Sequence, residues 1–287
     1  RDGRQIMASI GPVGGGGGGM PGMDGEDGAG ANGSFLRNTP VEINEVEVPI
    51  RILRYGLEPD SGGPGQYRGG LGVTMEFQVF APDTLVTARN RDCSRFTSFG
   101  ILGGRGGAPS RFTRNPGSDM PEELGNRDVV KCLPGDVIRI VGAGAGGYGD
   151  PMQRDPEAVL EDVRAGYVSP ARARADYGVV IADGVVDERA THDERAVRPY
   201  PPAGQHFDGG PARRAFERIW TRERYDALTA LLAALPVNWR FFLKHRIFEV
   251  MAAEAATLPE GAEAIAAIYA RMRVRYRDLP MAQAVEG

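Results

Sequence analysis

Asp24, Glu26 and Asp27 follow closely on six consecutive glycines, Gly14 to Gly19, with only Met20-Pro21-Gly22-Met23 between them. Residues without a Cβ can lie against a substrate or another backbone, so such a run could deliver these carboxylates to a reaction centre. The competing reading is a solvated acidic turn. Asn38 and Glu42, in Asn38-Thr39-Pro40-Val41-Glu42, flank the same region and complete the candidate catalytic set of Asp24, Asp27, Asn38 and Glu42. A simpler account of Asn38 is a turn entering a strand, with its side chain bonded to its own backbone. Asp24-Gly25-Glu26-Asp27-Gly28 lacks the alternating Asp or Asn and the distal Glu of a calcium loop. Ordering so many glycines loses much conformational entropy, so the run is either disordered or held by something important.

A second glycine motif, Gly142-Ala143-Gly144-Ala145-Gly146-Gly147, satisfies GxGxxG and follows an expected strand. A dinucleotide site needs a helix opening inside the motif, so that its amides face the pyrophosphate. Here Tyr148-Gly149-Asp150-Pro151 intervenes and the next helix starts near Pro156, which favours a turn-rich loop packed closely on a sheet. No phosphate loop with a Gly-Lys-Ser/Thr ending exists, so ATP, if used, binds elsewhere. His192, His206 and His245 are isolated from one another and from Cys93 and Cys132, so a metal site formed wholly within this chain is not expected.

Positioning these residues falls to two kinds of element. Residues 41–57 alternate apolar and charged side chains, the period of half-buried strands, with Pro49 as an edge position or a break. Residues 73–80, 84–88 and 137–141 read as further strands among Gly-Pro turns. The pattern changes at Asp155. Asp155-Pro156 and Ser169-Pro170 each place an N-cap residue before a first-turn proline, opening helices near 156–165 and 170–176. Residues 178–181 read as a strand, and His192 and His206 fall in a polar, Pro-rich linker. From Pro211 onward the apolar spacing is helical, and residues 237–253 are apolar on several faces, so their burial calls for a partner surface. The expected fold is α+β: a β-rich, Gly-rich region over 1–154, short helices, a strand and a linker over 155–210, and a helical segment over 211–287.

Composition bounds the function. The 287 residues carry a net charge of -4, with 41 glycines and two cysteines. An acidic balance with a pI near 5.6 argues against nucleic acid or an anionic membrane as partner. No signal peptide or long apolar span is visible, and two distant cysteines make no disulfide scaffold, which points to the cytoplasm. The opening Arg1-Asp2-Gly3-Arg4 reads like a turn inside a longer chain.

Taken in order, several segments resemble the carboxy-terminal half of the hydantoinase B/oxoprolinase family. They are the glycine run with Asp24-Gly25, Asn38-Thr39-Pro40-Val41-Glu42, Asp60-Ser61-Gly62-Gly63, Gly65-Gln66-Tyr67-Arg68-Gly69-Gly70 and Gly146-Gly147-Tyr148-Gly149-Asp150-Pro151. Asp176-Tyr177-Gly178-Val179-Val180 and the stretch from Trp220 to Lys244-His245-Arg246 are similar to the family's ending, so the likeness spans nearly the whole chain.

The resemblance implies a hydrolase of cyclic amides such as hydantoins, 5-oxoproline or lactams, acting as a hetero-oligomer with an amino-terminal half of the same family and a hydantoinase A type subunit. It places ATP and Mg on that subunit and a divalent metal, Zn or Mn, in the amino-terminal half or partner. Phosphorylating the amide oxygen would turn a weak electrophile into one with a good leaving group, and a bound metal would lower the pKa of the attacking water. An acetone-carboxylase-like subunit and a non-catalytic assembly module are the alternatives. Gly15, Gly16, Gly17 and Gly18 are then expected to form a substrate-proximal wall of a shared active site.

Overall fold

The computed structural model describes residues 6–28, 39–88, 93–198 and 206–281, which divide into two compact units, one running to Ala212 and the other starting at Arg213. The first opens with the glycine run and then α1 (Val41–Glu47), β1 (Ile50–Leu57), β2 (Val73–Val79), β3 (Thr84–Thr87), β4 (Gly100–Ile101) and β5 (Arg111–Arg114). There follow β6 (Glu122–Glu123), β7 (Val129–Cys132), β8 (Val137–Val141), a 3-10 turn (Pro151–Gln153), α2 (Pro156–Arg164) and α3 (Pro170–Tyr177). Then come β9 (Ile181–Ala182), β10 (Val185–Val186), α4 (Glu188–Ala196) and β11 (Phe207–Asp208). The fold is α+β, as the patterning requires.

One antiparallel sheet runs β1-β2-β8-β5-β6, and three two-stranded pairs join β3 to β7, β4 to β11 and β9 to β10. Its buried face carries Met75, Phe77, Val79, Phe112 and Ile138, packed with Leu124, Val130 and Cys132. Its other face is polar, with Glu76 and Arg139 opposite one another and bonded at 2.6 Å. That division is what the alternating pattern encodes.

Residues 41–47 are a helix, not the strand their alternation suggests. The ladder explains why: Ile50 pairs with Val79, the last residue of β2, and Phe80 donates to the Pro49 carbonyl beyond it. Upstream of that rung no strand among the described residues pairs with the segment, and the backbone satisfies itself through bonds such as Val48 N–H to the Asn44 carbonyl. Glu45 then accepts the Ile52 amide at 2.8 Å, next to the register shift between Ile52 and Arg54.

The glycine-rich segments form a bundle held by backbone bonds that recur every three residues. The amides of Gly142, Ala145 and Tyr148 donate to the carbonyls of Val73, Gly70 and Tyr67, while Gly144 and Gly147 donate to Ala108 and Arg105. Gly16 and Gly19 donate to Ala143 and Gly146, again three residues apart. A three-residue step is that of the polyproline II helix, which has no internal hydrogen bonds and so can direct its polar groups to neighbours. The central chain, residues 142–148, thus meets other segments on three sides. A side chain at Gly16 would overlap the Gly70 carbonyl, and one at Gly142 the Gly14 carbonyl.

Behind the bundle, Asp155 and Ser169 cap α2 and α3 by accepting from the amides of Glu157 and Arg172, as their sequence predicts. Val159, Val168, Ala173, Tyr177 and Val179 form a second core there. Residues 178–180 are not a strand: Gly178, at φ 63°, ends α3, and pairing begins only at Ile181. His192 lies on α4, whose start Asp187 caps, rather than in a linker.

The second unit contains most of α5 (Gly210–Ile219), then α6 (Arg222–Ala233), α7 (Val237–Glu254) and α8 (Glu263–Arg275). Leu228, Leu243, Ile247, Met251, Ile265 and Ile268 form its buried centre, with Trp220 stacked on Phe248 at 4.3 Å. Val237 and Phe241 on α7 stay exposed. Among the described residues, no helix is long and apolar enough to cross a membrane.

Candidate functional site

The glycine run is ordered by backbone bonds of the bundle, and the aspartates that follow it sit in a cluster of charges. Asp24 Oδ1 accepts from the Arg68 backbone N–H and from Arg154 Nη1, both at 2.6 Å, and its Oδ2 accepts from Arg154 Nη2 at 2.7 Å. Asp27 Oδ1 accepts from the Leu71 amide at 2.7 Å and from Arg68 Nη1 at 3.0 Å, with Nη2 3.3 Å from Oδ2. From α2, Asp162 Oδ2 takes Arg154 Nη2 at 2.8 Å, and its Oδ1 lies 3.4 Å from Arg68 Nε. Both arginines are buried, 3% and 5% exposed. Their guanidiniums lie over the rings of Tyr167 and Tyr177, at 5.4 and 6.0 Å from the centroids.

Opposing forces set the charge states. Burial would raise the Asp24 pKa, but the hydrogen bonds and charges of Arg154 and Arg68 outweigh it and hold the carboxyl below its ordinary value. Asp162 is more enclosed, and burial lifts it against the pull of the same two arginines. Burial would depress both guanidiniums; the surrounding aspartates raise them instead, so both stay charged. Buried cations of this kind are tolerable only because each has carboxylate partners.

Asp24, held by the Arg154 guanidinium, and Asp27, held by the Arg68 guanidinium, are therefore brought into one cluster, with Asp162 facing both arginines. Glu42 is exposed in the first turn of α1 and takes no part in the cluster, and Asn38 lies outside the described residues. Gly15, Gly16 and Gly17 pack among neighbouring backbones, whereas Gly18 is exposed with nothing within 4 Å of where a Cβ would stand. The GxGxxG stretch opens no helix, and four of its amides, those of Gly142, Gly144, Ala145 and Gly147, are committed to the carbonyls of Val73, Ala108, Gly70 and Arg105 rather than turned together toward a phosphate.

Sequence reasoning missed Arg68, Arg154 and Asp162. The only local signal was Arg68 itself, a lone long side chain inside Gly65-Gln66-Tyr67-Arg68-Gly69-Gly70.

A metal of the kind the resemblance implies does not fit this cluster. The oxygens of Asp24, Asp27 and Asp162 are committed to guanidiniums and amides, and no group of three His, Cys, Asp or Glu among the described residues could hold a metal ion. His192 and His245 are exposed on separate helices.

A family model described as Hydantoinase B/oxoprolinase matches residues 1–151, and the chain belongs to that family. The B component of a putative D-/L-hydantoinase from a Pseudomonas species is 32% identical over 56% of this chain and 27% of its own length. The crystal structure of the ATP-dependent caprolactamase from Pseudomonas jessenii is 32% identical, with a TM-score of 0.51 over 64% of this chain and 33% of that one. Nucleotide-free acetone carboxylase matches 92% of this chain and 36% of its own at TM-score 0.52, but with 22% identity it shows a shared fold alone. The chain spans under a third of the length of the curated relatives it matches. The family match ends at residue 151, whereas the acetone carboxylase fold covers nearly the whole chain.

Proposed function

We propose that this chain is one component of an ATP-dependent enzyme that opens cyclic amides such as hydantoins, 5-oxoproline or lactams. It works with a hydantoinase A type subunit that binds ATP and with an amino-terminal hydantoinase B type segment that holds a divalent metal. The observation that carries this reading is the family match over residues 1–151, joined to 32% identity with an ATP-dependent caprolactamase. Activation of the amide by ATP belongs to the partner. This chain contributes a rigid wall: residues 14–19, fixed by backbone bonds, offer the Cβ-free backbone of Gly18 to the substrate side.

The test is a co-purified assembly assayed with hydantoins, 5-oxoproline and lactams, with and without ATP. ATP-dependent ring opening of at least one substrate is expected; silence across the panel would sink the reading. The fold shared with acetone carboxylase favours a second reading, a ketone carboxylase component, and bicarbonate-dependent ATP consumption with a ketone would select it. A purely structural module is the third. Gly18→Ala in an intact assembly separates it, because a substrate wall loses turnover and a structural module does not.

A further inference from the structure

The acidic cluster has a repeat that its hydrogen bonds explain. Asp24 Oδ1 accepts the Arg68 N–H while the next residue, Gly25, donates to the Arg68 carbonyl at 2.7 Å. Three residues on, Asp27 Oδ1 accepts the Leu71 N–H while Gly28 donates to the Leu71 carbonyl at 2.8 Å. Each Asp-Gly pair thus grips both polar groups of one residue, the carboxylate standing in for a backbone carbonyl. The two gripped residues are themselves three apart, one turn of the extended helix.

We propose that Asp24-Gly25 and Asp27-Gly28 are a register clamp, in which the two carboxylates are positioning residues that lock the glycine run against residues 67–73 and take no part in bond making. In glycine-rich segments no side-chain pattern distinguishes one register from the next, so the backbone bonds alone would allow a slip of three residues. The clamp opposes it, because a slip of three seats only one of the two Asp-Gly pairs and leaves either Arg68 or Arg154 buried with Asp162 as its one remaining carboxylate. The rest of the run follows: Gly17 N–H bonds the Glu26 carbonyl between the two grips, and Gly70 N–H bonds the Gly17 carbonyl. Glu26, the middle residue, is exposed. A carboxylate whose oxygens are filled by a guanidinium and an amide is also a poor general base. Asp24 is held on the acidic side of its ordinary range, opposite to the direction such a role near neutral pH needs.

The functional half of this inference rests on the reading of the run as an active-site wall; the structural half does not. Amide hydrogen exchange of this chain alone, as wild type, Asp24→Asn, Asp27→Asn and Asp24→Ala, tests the clamp. Roughly 10- to 100-fold faster exchange is expected at Gly17, Gly19, Gly25 and Gly28 in Asp24→Ala, the loss that follows removal of charge-assisted hydrogen bonds. The asparagine variants, which keep an oxygen acceptor, should lie between Asp24→Ala and wild type, and they carry the test should Asp24→Ala fail to fold. Unchanged exchange in both asparagine variants overturns the clamp whatever the enzyme does.

In the assembled enzyme the asparagine variants should raise KM with kcat within a few-fold and an unaltered pH profile. A kcat loss of about 100-fold or more, with bundle amides still protected, would instead make these carboxylates catalytic. If wild-type assembly turns over no cyclic amide, the functional reading fails while the exchange result still decides the clamp.

Discussion

At the scale of single residues, two glycines of one run have opposite tolerance. A Cβ at Gly16 would run into the Gly70 backbone carbonyl, which cannot move without breaking the bundle, whereas at Gly18 it would meet nothing. Gly16→Ala should therefore cost about 1–3 kcal/mol, as forced overpacking does, and Gly18→Ala should leave thermal unfolding of this chain within error. Equal losses for both would show that the run is not packed as described. Asp24 supplies a second residue-scale prediction, in pH. Its folded pKa is depressed, so its contribution is present above the unfolded value, about 3.9, and is lost as pH falls through that value toward the folded one. Asp162 runs the other way, because burial raises it, so the two must be separated by difference. The gap in unfolding midpoint between wild type and Asp24→Asn should stay constant from neutral pH to about 5 and close below about 4. A third of the Asp24 side chain is exposed, and solvent screening keeps the gap small.

At the scale of elements, what could be read from sequence is what neighbours in the chain decide. Asp155-Pro156 and Ser169-Pro170 announce helices because caps act within three residues, and both caps are made. Residues 73–79 announce a strand because Val73, Met75, Phe77 and Val79 alternate with Thr74, Glu76 and Gln78, and residues 137–141 do so as a short, mostly β-branched run. Val41–Glu47 misled for the same local reason: alternation says that a strand could form, while only the length of β2 says that no partner reaches it. The bundle was invisible because glycine has no side chain to pattern, and the partners of its charges lie far away in sequence, Arg154 from Asp24 above all. Asp155→Ala tests how far the local signal matters. Loss of the cap should lower unfolding stability by about 1 kcal/mol in a denaturant titration. Because α2 carries Asp162 into the cluster, the same variant should also speed exchange at Gly25.

At the scale of the whole molecule, the question is where the metal chemistry of the proposed enzyme resides. The carboxylates most easily suspected here are already engaged: Asp24, Asp27 and Asp162 each give at least one oxygen to a guanidinium or amide within 3.0 Å, and the second oxygens of Asp27 and Asp162 lie 3.3 and 3.4 Å from Arg68. Recruiting one as a metal ligand would strip a buried arginine of its partner, a change that costs several kcal/mol before the metal contributes anything. A divalent ion brought to this cluster therefore has to compete with bonds already made. Thermal unfolding of the isolated chain should be the same after dialysis against a chelator, after readdition of zinc or manganese, and in untreated protein. Ligand linkage would otherwise raise the midpoint in a concentration-dependent way, by about 2.7 kcal/mol at a hundredfold excess over the dissociation constant. In the assembled enzyme the same dialysis should abolish ring opening. A midpoint in the isolated chain that rises with zinc or manganese would move the metal site into this chain and require the clamp to open in order to hold it.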